Sequence, residues 1–345
     1  MICEYNWTIE WYHVLSKACL NCPLNKTHCS ALNCVSANGL KRAIMTINRM
    51  IPGPAIDVCE GDTIIVNLYN SLHLGEGTSI HWHGITQKGT QFMDGVSMIT
   101  QCPVISHTSF QYNFKASDHG THLWHAHAGI QRADGIFGPF IVRQYDDDNI
   151  HLDKYDFDLV EHIITMNDWI NETSIAKFSG HHHNDFDNKP HSLLINGKGV
   201  INKASYTGQY SYIETPRALF TVKPGFRYRF RLINAGFLYC PLEFSIDDHN
   251  LTVIASDGRS LEPYEVVSLI IYAGERYDFI LNANQTIKNY WIRVKGYADC
   301  SVFKVFETAI LNYYDSSNNN SNYDSLPSDP NLLNYETLTR PGLVL

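Results

Sequence analysis

The chain has 345 residues, enough for two domains with cores of their own. At 44% hydrophobic, 12% aromatic and 18% charged it has a globular composition, which excludes general disorder. A net charge of −9 argues against nucleic acid or an anionic membrane surface as the main partner, and no apolar run approaches the ~20 residues that span a bilayer.

Residues 1–35 hold five of the nine cysteines, Cys3, Cys19, Cys22, Cys29 and Cys34, and read as a cysteine-rich N-terminal extension. Cys19-x-x-Cys22 is open to reading as half of a zinc ribbon or as a redox pair. Six N-glycosylation sequons, at Asn6, Asn25, Asn171, Asn250, Asn284 and Asn319, weigh the other way. Sequons and cysteines together predict an oxidising, secretory environment, disulfides and an extracellular glycoprotein. An odd cysteine count leaves at least one without a partner. Met1 to Asn6 has neither a basic nor an apolar region of the signal-peptide kind, so the expectation is a start trimmed by processing or, preferably, truncated.

From residue 36 onward, strand signals recur: Thr63–Tyr69, Phe110–Phe114, Phe137–Val142, Tyr228–Ile233 and Leu251–Ala255. Gly, Pro, Asn and Asp separate them, and long amphipathic helices are absent. The pattern predicts an all-β fold of the sandwich or Greek-key kind. It also repeats. Val58-x-x-Gly61 and Asn70 return as Val222-x-x-Gly225 and Asn234 at an offset of 164, and Trp124 and Gly129 return as Trp291 and Gly296 at 167. Two tandem copies of one β-domain are expected, over 36–145 and 156–312. Polar, proline-dotted sequence over 313–345 reads as a linker towards a further domain.

Two His-x-His triplets carry the chemistry: His81-Trp82-His83, and His125-Ala126-His127 preceded by Trp124. In a strand, residues i and i+2 share a face, so two adjacent strands would aim four imidazoles at one point. Imidazoles without thiolates suit copper, zinc, iron or nickel. On the repeat offsets, His81 and His83 fall on Ser245 and Asp247, and His125 and His127 on Ile292 and Val294. The metal is thus expected in the first copy alone, with the second as scaffold or cleft wall.

In context the triplets resemble the multicopper oxidases, and most closely the laccase-type enzymes of insects. The matching stretches run through most of the chain: Asn48-Arg-Met-Ile-Pro-Gly-Pro54, His81-Trp-His-Gly84, Met93-Asp-Gly-Val96, Thr100-Gln-Cys-Pro103, Gly120 to His127, Tyr228-Arg-Phe-Arg-Leu232 and Gly274-Glu-Arg-Tyr-Asp-Phe279. The resemblance implies cupredoxin-like sandwich domains. It also implies oxidation of diphenols or catecholamines with four-electron reduction of dioxygen to water. By resemblance, His81 would ligate a type 2 copper, and His83, His125 and His127 the paired type 3 coppers. Asp94 matches an acid beside the trinuclear site that assists proton delivery; its plainer reading is an Asp-Gly turn. Cys102 matches a position that bridges to the third domain in related enzymes. Cys34 and Cys240 match a pair linking the first and second domains. Cys59 and Cys300 have no assignment.

The sequence also departs from the family. The His-Pro-x-His-x-His and His-Cys-His segments of the third domain do not occur, so half of the cluster's histidines and the type 1 copper site are missing. The chain taken alone is therefore expected not to turn over and to need a third domain in cis. Pro241 stands where fungal laccases place an acidic substrate contact. Ferroxidase or ascorbate oxidation on the same scaffold, and a truncated copper-binding protein without catalysis, are the alternatives; zinc hydrolysis lacks a catalytic carboxylate pattern. His181-His182-His183 reads as a solvated loop, His122 as structural, His249 as a turn residue, and Asp168-Trp169 as packing.

Overall fold

The computed structural model describes residues 1–73, 75–182, 189–201, 214–238, 240–314 and 326–327, with the backbone alone at 179–182. Strands dominate, as the alternation predicted, in two cupredoxin-like sandwiches. In the first, one sheet runs β2 (Ala43–Ile47), β1 (Ile2–His13), β4 (Thr63–Asn70), β6 (Ser109–Lys115). The facing sheet runs β3 (Ile56–Cys59), β8 (Phe137–Arg143), β7 (Gly120–Ala126), β5 (Ile80–His83).

The second sandwich repeats that topology and adds to it. One sheet runs β10 (Ser192–Ile195), β9 (Ile163–Trp169), β12 (Arg227–Asn234), β17 (Arg276–Asn282), β14 (Leu251–Ser256), β15 (Arg259–Val266). Its partner runs β11 (Leu219–Val222), β19 (Phe306–Tyr313), β18 (Asn289–Gly296), β13 (Leu242–Ile246), β16 (Leu269–Ile271). The first four strands of each sheet follow the order of their counterparts in the first sandwich. Even the parallel β1–β4 pairing recurs, as β9–β12.

The expected N-terminal extension is corrected here. Residues 2–13 form a strand in the interior of the first sheet, antiparallel to β2 and parallel to β4. Cys3, Tyr5, Trp7, Ile9 and Trp11 all turn to the core, a period-2 stripe that supplies the burial a strand needs. Trp7 is fully buried and meets Trp124 at 4.4 Å and Trp82 at 5.9 Å between ring centroids. Burying side chains of this size contributes about 1.5–3 kcal/mol each.

The disulfides also differ from what the resemblance implied. Cys19 pairs with Cys34, Cys22 with Cys29, and Cys240 with Cys300. Cys34 is thus spent locally and is not bonded to Cys240, and the second sandwich closes its own cysteines. Of the linker expected over 313–345, Tyr313 instead ends β19, and the rest lies almost wholly outside the described residues. The histidine run at 181–183 is not simply a loop: a helix, α1 (Ser174–His182), extends into it, while His183 lies outside the described residues.

The two sandwiches share an interface of Leu123, Phe137 and Ile141 against Ile163, Ile233 and Ala235. Beside it, Arg231 donates to Asp158, Asp278 and the Thr121 hydroxyl, and Thr121 donates to Asp278. Arg231, Asp278 and Thr121 are almost completely buried and Asp158 is largely so, which makes each charge depend on its partner.

Candidate metal centre

β5 and β7 lie antiparallel in the register His81↔His125, Trp82↔Trp124, His83↔Leu123. The alternation sorts the side chains. Trp82 and Trp124 enter the core of the first sandwich, while His81, His83 and His125 take the other face, towards the second. One nitrogen from each of these three histidines lies within 4.8 Å of the others. His127, one residue past the strand and exposed, sets its ring 5.4 Å from that of His81 and 5.9 Å from that of His125. Three of the four predicted ligands are thus gathered, with the fourth at the rim.

The rings are held by the backbone. His81 donates from Nδ1 to the Asp94 carbonyl at 2.8 Å, with the Asp94 carboxylate oxygen 3.3 Å away. His125 donates from Nδ1 to the Ala126 carbonyl at 2.9 Å. Both bonds commit Nδ1 as donor and leave Nε2 with its lone pair. The His125 Nε2 is buried and has no partner. An orphaned buried nitrogen costs about 1–3 kcal/mol unless something binds it, so this ring fits a metal ligand.

Burial supplies the protonation state. It holds His83 down to about 3, with the nearby Arg276 guanidinium adding to the effect. Burial also lowers His81, against the opposing pull of Asp94, and pushes His125 well below the usual histidine range with help from Arg132. Neutral imidazoles are the form a metal ion takes.

The loop bearing Asp94 presses against β5. Trp82 donates its indole N–H to the Met93 carbonyl, and Gly95, at φ +79°, passes so near Ile80 that a Cβ would lie 1.7 Å from its carbonyl oxygen. Asp94-Gly95 is thus a close-packed bend, and the Asp94 carbonyl orients His81.

The second sandwich contributes residues that the sequence reading did not single out. Gly274, at φ +91°, stands against His83: a Cβ there would lie 3.1 Å from the ring. Arg276, also buried, donates to the carbonyls of Thr121 and Gly274 and to the Asp257 carboxylate, and faces His122 Nδ1 at 3.4 Å. The signal was in view, since both residues sit in the Gly274–Phe279 segment.

The remaining readings fall out plainly. His122 lies on the opposite face from His125 and donates from Nε2 to the Asp118 carbonyl at 2.9 Å, which leaves it structural. His249 is buried rather than a simple turn residue, with Nε2 at 2.6 Å from the Tyr313 hydroxyl. Asp168 accepts the amides of Phe237 and Leu238, and Trp169 lies under Arg42 at 3.9 Å. In the second sandwich the outward positions carry Ser245, Asp247 and Arg293, the last two ion-paired at 2.6 Å. The register Ser245↔Arg293 corrects the offset reading by one residue: Ile292 and Val294 point into the core. Among the described residues, the first sandwich alone gathers three metal-ligating side chains.

Comparison with known proteins agrees with this geometry. Family models described as multicopper oxidase match residues 28–147 and 161–316. The chain is 39% identical over 290 residues to Laccase-4 of Trametes villosa, covering 82% of this chain and 52% of that protein. It superposes on the laccase of Botrytis aclada with a TM-score of 0.74 at 31% identity, over 95% of this chain and 55% of that one. Fet3p, a multicopper oxidase that functions in iron import, gives a TM-score of 0.70 at 25% identity, over 92% and 56%. With two sandwiches, a histidine cluster between them and both halves matched, the chain belongs to the multicopper oxidase family. It spans about half the length of the curated relatives it matches. No helix among the described residues is long and apolar enough to cross a membrane.

Proposed function

We infer that this chain provides one side of a trinuclear copper centre in a laccase-type oxidase, with His81 on the type 2 copper and His83, His125 and His127 on the type 3 pair. The observation that carries this is the His81↔His125 register, with Nδ1 of each ring tied to a carbonyl and the His125 Nε2 buried without a partner. Copper held there would supply one-electron redox steps that together carry dioxygen to water, with a diphenol or catecholamine as reductant. β5 and β7 fix the rings, and the Trp82–Trp124 side of the same strands anchors them in the core. Asp94 orients His81 through its carbonyl, and its carboxylate, partly exposed beside the ring, would pass protons from solvent towards the site.

The His-Cys-His segment that completes such a centre does not occur in this sequence, so those ligands would come from a third domain. The 345 residues by themselves would hold copper without turnover. The likeness to Fet3p, which functions in iron import, supports ferrous iron as a second reductant. Ascorbate oxidation, or copper binding without catalysis, completes the alternatives. Three disulfides support a secreted protein.

The test is copper content and electron paramagnetic resonance of the purified chain, beside a longer protein in which a His-Cys-His domain follows it. The chain alone should bind copper yet lack the strong copper–thiolate band near ~600 nm and oxidise neither a diphenol nor ferrous iron. The longer protein should show the band and consume oxygen with one of them. A blue, active 345-residue chain would overturn the reading.

A further inference from the structure

Three cysteines stay outside the disulfides: Cys3, Cys59 and Cys102. Strand register separates them into a pair and a single. Cys3 sits on β1 opposite Ile64, at the start of β4, and Cys59 ends β3 just before the turn that leads into β4. Cys102 lies beyond the far end of β4, where Asn70 binds the carbonyls of Thr108 and Val104. The seven steps from Thr63 to Asn70 put it roughly 23 Å away. It can reach neither of the others.

Cys3 and Cys59 converge on one atom. The Cys3 thiol donates to Asp62 Oδ2 at 3.7 Å, and the Cys59 amide donates to that same oxygen at 2.9 Å. The Asp62 amide closes the turn onto the Cys59 carbonyl. The period of two along β1 gives the same alignment, because Tyr5, the next residue on the core-facing side, meets the Asp57 backbone two residues before Cys59. β1 and β3 belong to facing sheets, and Asp62 holds the Cys3 thiol and the Cys59 backbone at one end of the first sandwich.

We propose that Cys3 and Cys59 form a fourth disulfide when these 345 residues are secreted, stapling the two sheets and leaving Cys102 as the single free thiol of the nine. The step is thiol–disulfide exchange with a small or protein disulfide oxidant of the secretory pathway. Two thiols give up two electrons and two protons, one S–S bond forms between Cys3 and Cys59, and the oxidant's own S–S bond opens to two thiols. Cys59 is exposed, and its thiolate is the group that an incoming oxidant meets first. A mixed disulfide there is then displaced by Cys3.

The inference rests on the secretory reading, and the test separates the two. The secreted protein is denatured without reductant, alkylated and mapped by mass spectrometry. Expected are one alkylated cysteine, Cys102, and a cross-linked pair of peptides carrying Cys3 and Cys59. In Cys3→Ser and in Cys59→Ser the alkylated count should rise to two, with a lower thermal midpoint than wild type. Three alkylated thiols beside intact Cys19–Cys34, Cys22–Cys29 and Cys240–Cys300 would overturn this proposal alone. Nine free thiols would overturn it together with the secretory reading, and a link from Cys102 to either residue would overturn the pairing.

Discussion

Gly274 of the second sandwich faces the ring of His83 in the first so closely that a Cβ added to it would lie 3.1 Å from the ring. The approach makes the second sandwich a wall of the candidate metal centre, with only the space of a missing Cβ beside the His83 ring. Gly274→Ala should push the ring aside and strain a backbone held at φ +91°. Supporting residues of this kind typically change metal affinity by roughly 10–100-fold. Copper titration of wild type and variant, with circular dichroism to verify the fold, checks this; unchanged affinity would dismiss the contact as incidental.

His122 and His125 share a strand but face opposite ways, and their variants should differ in kind. His125→Ala removes the ring with the unpartnered Nε2, so copper binding should fall by more than the roughly 10–100-fold of a supporting residue. His122→Ala instead strips a partner from the Asp118 carbonyl and from Arg276, at about 1–3 kcal/mol of stability. Its copper stoichiometry should hold. Metal analysis and denaturant melts of both variants are sufficient to decide.

Acid should unfold the metal-free chain early. An unfolded histidine titrates at about 6.5, whereas burial keeps the His83 ring neutral down to about 3. Between those values the unfolded chain binds a proton that the native chain refuses, so stability is full above the upper value and drains away as pH falls towards the lower. His81 and His125 are shifted in the same direction. Urea midpoints measured across this window should decline steadily, and His83→Gln should flatten the slope. A slope unaltered by that substitution would remove His83 as the cause.

Asp278 holds Arg229, Arg231 and the Thr121 hydroxyl at the junction of the sandwiches, almost fully buried. Asp278→Ala would remove the closest charge partner of Arg229 and leave both Arg229 and Arg231 to share Asp158, and should cost about 3–5 kcal/mol. Thr121 of the first sandwich donates to Asp278 of the second, so the loss removes a bond across the interface and should separate the unfolding of the two halves. Calorimetry would then show two transitions in place of one. A single unshifted transition would rule this out.

Much of the candidate metal centre's geometry was legible because strand alternation is strict: His-Trp-His and Trp-His-Ala-His can present their rings only on one face. Duplication was legible for the same reason, through residues at strand ends and turns. Faces were less secure than copies. A one-residue error in register, Ile292 for Arg293, exchanges core for surface, and an offset alone does not detect it. The strand at 2–13 carries its own alternation, from Cys3 through Trp11, but composition alone ranks it with the cysteine-rich stretch that follows. Cysteine pairing could not be read at all: Cys34 and Cys240 meet different partners because pairing depends on which chain segments fold together, and spacing is silent on that. Gly274 and Arg276 act from the other sandwich, a relation that exists only once the copies dock.

The placement of β1 bears on how this protein can be handled. Because that strand sits between β2 and β4, trimming the first dozen residues as a dispensable tag-like tail would strip β2 of its neighbour and bare a full row of β4 amides and carbonyls. Such an edge recruits strands from other molecules. Shortened preparations should therefore precipitate, and fusion partners belong ahead of Ile2 rather than in its place.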